Sequence, residues 1–473
     1  MGGWHPNRKE FLGSAGVALA GLSLSRVASG ASGKPNLLVI MTDDQPYYTI
    51  PYMEAVASHI RDRGVIFRPY AYVSTPICGP ARATLLTGKW SHNTGLSATT
   101  HPYAYHQLHT SNYESETIAT RLKKAGYATF FGGKYQNGYD GKAKPPGWDS
   151  WFAMVEPVNK KDYFRYRTGT QIRRYDRSKH NETHVLGERA RRFVRDNARS
   201  SSSSSQPWFA YVCPHAPHGP HFPALKHADE FEHKPLRDVG SLHEESLKDK
   251  PDWVSGEAPY TRKERSAHSK EYRGMLRELQ EVDDMVAGLI SALADTNQLD
   301  DTYIFFLTDN GYLLGEHGLH YKNTPYEEAS RTPFIVRGPG IKKGIHSHLM
   351  VSHIDLPPTL LDLAGAPWSD LDGRSLRRVL VANEGRRPAG WRDEVFVEDL
   401  KRGWNMLRTP KYAYVEWDGG QKELYDMYAD PHQLRSLHTE KAKADLISEL
   451  STRLSEMKSC SGSSCRNSEV GPW

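Results

Sequence analysis

Pro35-Asn-Leu-Leu-Val-Ile-Met-Thr42, followed at once by Asp43-Asp44-Gln45, is the stretch from which the fold can be read. A short, unbroken apolar run bounded by polar residues is the pattern of a strand buried on both faces, as in a parallel sheet. The same texture returns at Tyr127-Ala-Thr-Phe-Phe131, Trp208-Phe-Ala-Tyr-Val212 and Tyr303-Ile-Phe-Phe-Leu307, with shorter runs at Val65-Ile-Phe67 and Pro333-Phe-Ile-Val336. Between them, residues 53–63, 116–125, 186–197 and 272–294 have helical patterning. Strand–helix alternation predicts an α/β domain with a large, mainly parallel sheet flanked by helices.

The four longer apolar runs end in residues that can do chemistry: Asp43-Asp44, Gly132-Gly133-Lys134, Pro214-His215-Ala216-Pro217-His218, and Thr308-Asp309-Asn310-Gly311. The carboxyl ends of parallel strands are where ligands bind in open α/β sheets, so these four segments are expected to converge. Oxygen donors such as Asp43, Asp44, Asp309 and Asn310 suit a hard cation of the calcium or magnesium type. Taken singly, each pair is equally readable as a turn or a helix cap.

Ser74-Thr-Pro-Ile-Cys-Gly-Pro-Ala-Arg-Ala-Thr-Leu-Leu-Thr-Gly88 adds a reactive residue. Pro80 suits the first helical position and Gly88 a helix stop, which puts Cys78 at a helix start, where free N–H groups favour an anion. Arg82, one turn on, offers a forked cationic contact. Lys322 follows a loop rich in glycine and histidine. His215, His218 and His221 recur every third residue, but the prolines among them disfavour one helix. A single histidine acting as acid or base is the better reading than a three-histidine zinc site.

The chain has 473 residues and a formal net charge of +5, which is not a nucleic-acid-binding balance. An anionic substrate must therefore be met by a local pocket. Residues 1–33 read as an export signal: Asn7-Arg-Lys-Glu-Phe-Leu12, an apolar run over 13–24, then Ala28-Ser29-Gly30. The pattern is similar to a twin-arginine signal with Lys9 at the second arginine. No run is long enough to span a bilayer, which predicts an exported, secreted or periplasmic protein with no membrane segment in its mature form. Of the four cysteines, Cys460 and Cys465 bracket a short loop that an oxidising compartment could close. Cys213 reads as a buried thiol, and Cys78 is left unpaired.

Residues 34–375 are taken as a catalytic domain and 376–473 as a C-terminal subdomain. In the latter, residues 391–397, 404–408 and 412–417 read as antiparallel strands, 424–434 as a turn, and 441–457 as a helix. Ser200–Ser205 and the polar stretch 225–265 read as surface excursions.

Taken together, Thr42-Asp-Asp-Gln45, Cys78-Gly-Pro-Ala-Arg82 with Leu86-Thr-Gly88, Gly133-Lys134, Ala216-Pro-His218, Thr308-Asp-Asn-Gly311, Leu424-Tyr-Asp426 and Asp430-Pro431 resemble the formylglycine-dependent sulfatases over nearly the whole mature chain. The resemblance implies an alkaline-phosphatase/sulfatase-like fold and sulfuric ester hydrolysis. It implies that Cys78 is oxidised to formylglycine by a maturation enzyme, and that one Ca2+ is held by Asp43, Asp44, Cys78 (as formylglycine), Asp309 and Asn310. Arg82, Lys134, His218 and Lys322 would contact the sulfate ester. Many members have histidine two residues after the lysine; here Gln136 stands there, and glutamine takes no proton near neutral pH. His317 and His320 are then candidate bases. Gly133-Lys-Tyr-x-Asn137 and the tail Lys458-Ser-Cys-Ser-Gly-Ser-Ser-Cys-Arg466 resemble the N-acetylglucosamine-6-sulfatases, which implies a sulfated carbohydrate as substrate. The rivals are an arylsulfatase, a phosphate or phosphonate monoester hydrolase on the same scaffold, and an inactive carbohydrate-binding protein.

Overall fold

The computed structural model describes residues 33–98, 103–158, 160–198, 206–244, 246–256, 261–381 and 387–470. The export-signal expectation, apart from residue 33, and the polyserine stretch lie outside them.

The apolar runs assemble into one ten-stranded sheet. Its spatial order is Ile345–Ser347, Val65–Phe67, Phe334–Arg337, Thr302–Thr308, Asn36–Thr42, Trp208–Cys213, Ala128–Gly133, Ser150–Met154, Tyr163–Thr168 and Gln171–Asp176. The five strands from Thr302–Thr308 to Ser150–Met154 are mutually parallel, with Asn36–Thr42 between Thr302–Thr308 and Trp208–Cys213. Phe334–Arg337 and the Tyr163–Asp176 hairpin run antiparallel and make the sheet mixed. Alternation along a strand sends successive side chains to opposite faces. Leu37, Val39 and Met41 enter one apolar layer while Leu38 and Ile40 enter the other. The first layer is covered by helices Cys78–Thr87, Ile118–Lys124 and Leu356–Leu363, the second by Glu182–Asp196 and Arg262–Asp295. Burial on both faces is why these strands carry no polar alternation.

Several elements differ from the reading above. The long helix begins at Arg262, where Thr261 and Glu264 form a reciprocal capping box, ten residues before the predicted start. The helix predicted over 53–63 is π-helical at Val56–Arg61. Ser150–Met154, Tyr163–Thr168 and Gln171–Asp176 were not foreseen. The stretch 225–265 is not wholly a surface excursion, since Leu242, Lys250 and Val254 are buried. The helix that holds Cys78 starts at that residue, with Pro80 inside its first turn.

Beyond the large sheet, Val395–Asp399, Trp404–Arg408, Tyr412–Trp417 and Lys422–Asp426 form a four-stranded antiparallel sheet. Its fourth strand takes the start of what read as a turn. Helix Ala444–Ser459 packs on it through Leu450, Leu454 and Met457, and Cys460 is disulfide-bonded to Cys465.

Candidate active site

The carboxyl ends of the central strands deliver the polar residues to one place. Asp43 and Asp44 leave strand Asn36–Thr42. Asp44 has φ +63°, uncommon for a residue with a side chain. It is held there by its own N–H, which donates to Asp309 Oδ1 (3.2 Å), and by Asn310 Nδ2, which donates to Asp44 Oδ1 (2.7 Å). Asp309 and Asn310 leave the adjacent parallel strand, so the two acidic turns meet through strand register.

Lys134 follows Gly133, whose φ is +104° and whose missing side chain matters: a Cβ there would lie 1.8 Å from the Cys213 carbonyl oxygen. The turn aims the Lys134 ammonium at Asp43 Oδ2, with which it pairs. Arg82 is fully buried and braces three segments. Its Nε donates to Asp309 Oδ2 at 2.8 Å, Nη1 donates to the Lys134 carbonyl, and Nη2 lies 3.5 Å from Asp43 Oδ2.

Cys78 is 1% exposed. Its Sγ lies 3.4 Å from Asp43 Oδ1 and accepts from Lys322 Nζ at 2.9 Å. Lys322 also pairs with Asp44. The loop that carries it has positive φ at His317, Tyr321 and Asn323 and is pinned by Asn323 N–H donating to the Pro76 carbonyl (3.0 Å). His218 Nε2 is 3.5 Å from Asp44 Oδ2, and its ring stacks on His215 at 4.7 Å. Asp43, Asp44, Cys78, Arg82, Lys134, His218, Asp309, Asn310 and Lys322 thus form one connected cluster.

The charges set one another. Burial pushes the Asp43 carboxyl up, but Lys134, His218, Arg82 and Lys322 together hold it well below its usual range. Burial and the neighbouring Asp43 push Asp309 up to about 6, against the pull of Arg82. Burial, reinforced by Asp43, raises the Cys78 thiol far above its ordinary value, so the thiol is protonated and a poor nucleophile as such. Ligand atoms of Asp43, Asp44, Cys78 and Asp309 lie within 4.8 Å of one another. Asn310 Oδ1 is buried with no hydrogen-bond partner beside them. Three converging buried carboxylates and a free amide oxygen fit a hard cation.

Other predicted groups behave differently. His317 is buried with Nδ1 2.6 Å from Glu244, and His320 Nε2 is 2.7 Å from Glu271. Glu244 and Glu271 lie far off in sequence, and no local signal marked them. His221 is bound to Glu278 at 2.8 Å, away from His215 and His218, so the three-histidine zinc arrangement does not form. His268, Glu271 and His320 do approach one another, but the two imidazole rings stack at 4.2 Å and 21°. Lone pairs of near-parallel rings run side by side rather than converge on an ion. Gln136 is 2% exposed, and neither amide atom has a partner.

Residues 35–366 match the family described as Sulfatase, and residues 315–460 match the family described as N-sulphoglucosamine sulphohydrolase, C-terminal. The chain is 32% identical over 391 residues to an extracellular sulfatase Sulf-1 homolog of Caenorhabditis elegans, covering 77% of this chain and 52% of that protein. It therefore spans about half of that relative. It is 29% identical over 514 residues to an N-acetylglucosamine-6-sulfatase of Capra hircus, covering 95% of this chain and 88% of that one. A solved structure of a protein in complex with its substrate D-glucosamine-2-N,6-O-disulfate superposes with TM-score 0.74 at 24% identity, covering 90% and 98% of the two chains.

Proposed function

The chain belongs to the sulfatase family, and from that premise we propose that it is a sulfuric ester hydrolase acting on a sulfated amino sugar such as N-acetylglucosamine 6-sulfate. The observation that carries the reading is the convergence of Arg82, Lys134, Lys322 and His218 with three buried acids around Cys78. The substrate class is supported by Gly133-Lys134-Tyr135-x-Asn137, by the tail sequence, and by the name of the goat relative.

Asp43, Asp44, Asp309 and Asn310 would hold calcium, which supplies Lewis acidity toward a sulfate oxygen and lowers the pKa of a bound hydroxyl. Cys78 would be the precursor of formylglycine, whose hydrate would offer one hydroxyl as the nucleophile toward sulfur and a second that, on losing its proton, would become the aldehyde C=O as the C–O bond to sulfate breaks. Arg82, Lys134 and Lys322 spread the charge that gathers on the sulfate oxygens as the ester bond breaks. Arg82 acts from a fixed position, because Asp309 and the Lys134 carbonyl hold its fork. His218 protonates the departing alkoxide from the Asp44 side. Residues 34–375 supply these groups, and 376–473 act as a subdomain behind them. Export into an oxidising compartment is supported by the signal-like residues 1–33 and by the Cys460–Cys465 disulfide. A maturation enzyme is the required partner.

The intact mass of the peptide spanning residues 69–82 tests the first step: it should show aldehyde in place of thiol. Matched aryl sulfate and aryl phosphate esters test the second, with sulfate preferred. Cys78→Ala is expected to lower sulfate release by at least about 10^3-fold, as loss of a covalent nucleophile does. Unchanged release, or a clear phosphate preference, would sink the reading.

A further inference from the structure

Residues 160–198 hold twelve Lys and Arg against five Asp and Glu, a net +7. The whole chain is +5, so everything outside this stretch is net −2. The positive charge is one feature of the fold, not a property of the surface at large.

The stretch builds the outer edge of the ten-stranded sheet: the hairpin Tyr163–Thr168/Gln171–Asp176, then helix Glu182–Asp196. Three of its five acids are already paired with cations, and Asp162 and Asp176 are exposed. Glu182 accepts from Arg177 at 2.8 Å, Glu188 pairs with Arg191, and Asp196 lies 3.4 Å from Arg192. Lys161, Arg173, Arg174, Lys179 and Arg195 remain exposed. Arg173 lies over the Tyr175 ring at 5.0 Å and Arg174 over the Tyr163 ring at 4.0 Å. These contacts orient the guanidinium groups without neutralising them, which lowers the ordering cost of a later contact. Beside the hairpin turn, a groove of about 580 Å³ is lined by Lys144, Arg167, Arg189 and Arg192 against Asp149 and Asp196, a net +2.

Placement links this edge to the site. Strand Ser150–Met154 is parallel to Ala128–Gly133, whose carboxyl end carries Lys134. Its antiparallel neighbour Tyr163–Thr168 therefore runs inward from beyond the site end, passes Ala153 (level with Gly133) at Arg167, and turns back after Thr168, about midway along Ala128–Gly133. Lys160, Lys161, Arg177 and Lys179 lie beyond the site end, Arg167 is level with Gly133, and Arg189 and Arg192 on helix Glu182–Asp196 carry the charge on toward the far end. Six strand residues make this a basic track of roughly 20 Å. Charge on an edge strand also blocks unwanted strand pairing, but one or two lysines suffice for that, and a continuous single-sign band is not required.

We propose that this edge is a docking face for a linear sulfated polysaccharide, holding the polymer while one of its esters is cut at the Cys78 site. The inference deepens the sulfatase reading and rests on it. Arginine forks match sulfate oxygens in pairs, and a polymer bearing the ester that the site takes carries the charge this face complements.

The test compares the full chain with a triple variant, Arg173→Ser, Arg174→Ser and Arg192→Ser, and with the matching triple to Lys. Heparin is the polymeric probe and an aryl sulfate the small one. Loss of three phosphate-like contacts is expected to raise KM for heparin about tenfold or more at low salt and to weaken its salt dependence. The aryl sulfate kcat/KM should stay unchanged, and the Lys triple should keep most of the heparin affinity. Unchanged heparin KM and retention in the Ser triple would overturn the proposal, as would tighter retention of single-stranded RNA than of heparin. Retention on immobilised heparin needs no turnover. A wild type that binds heparin through these arginines but cleaves no sulfate ester supports the docking face and overturns the hydrolase reading instead.

Discussion

Gln136 is the residue at which chemistry and stability pull apart. A buried amide with both ends unpaired costs the fold about 1–3 kcal/mol relative to an apolar side chain of the same shape. Such a cost is tolerated where the group meets something other than the protein. Gln136→Met keeps length and removes the polar atoms. It is expected to raise the melting temperature, by an amount equivalent to about 1 kcal/mol or more, and to lower kcat/KM on an aryl sulfate at least tenfold. Calorimetry beside steady-state kinetics reads both; a variant that is more stable and equally active would show that Gln136 does not serve the substrate. At this scale the sequence was informative where function needs a residue type at a strand end, as at Asp43, Asp309 and Lys134. It was silent on Glu244 and Glu271, because the partner that occupies a histidine is chosen by tertiary packing, here across 73 and 49 residues of chain.

Helix Arg262–Asp295 shows what governs an element. Its buried carboxylates dock neighbouring loops: Glu278 accepts from Phe222 N–H, Glu281 from Asn181 and from Ala224 N–H, and Asp283 from Ala55 and Val56 N–H. Burial, with Glu278 close by, pushes Glu281 up to about 8. The folded chain then keeps a proton that the unfolded chain releases above about pH 4.5. Stability falls as pH climbs from about 4.5 to about 8 and levels off beyond, a loss on the order of 5 kcal/mol for this group. Glu281→Gln should match wild type near pH 4.5 and exceed it at pH 8. Urea unfolding at the two pH values checks this, and equal midpoint differences at both would refute it. The same helix shows why elements were read unevenly. Its apolar face begins in earnest at Tyr272, so the polar first ten residues, held by a capping box, gave no periodic signal. The outer strands Tyr163–Thr168 and Gln171–Asp176 escaped because arginine interrupts both, at partly buried and buried positions in the first and at exposed positions in the second, whereas the doubly buried central strands are continuous apolar runs.

At the scale of the molecule, the C-terminal sheet is not an appendage. Glu398 N–H donates to the Ser74 carbonyl, and its carboxylate is 2.9 Å from His92 Nδ1. Trp404 Nε1 donates to the Asn323 carbonyl at 3.3 Å, next to Lys322. The sheet thus braces both segments that bring Cys78 and Lys322 together. Its apolar residues share one cluster with Tyr72, Val254, Leu313, Tyr326 and Met350, and another with Trp90 and Ile354. Arg392 forks onto Asp355 at 2.6 and 2.7 Å and reaches Glu469 at 3.1 Å, closing the chain's end over the helix Leu356–Leu363. A chain ending at residue 375 would expose those clusters and leave Asp355 and Glu327 as buried acids without Arg392 and Arg408. Unpairing one buried ion pair alone costs about 3–5 kcal/mol, comparable to a domain's net stability. Such a truncation is expected to be insoluble or to lack a cooperative unfolding transition, and to show no aryl sulfatase activity. A soluble 34–375 fragment with cooperative melting would instead mean that the ten-stranded sheet is self-sufficient and that the brace at Ser74 and Asn323 serves only to tune the site.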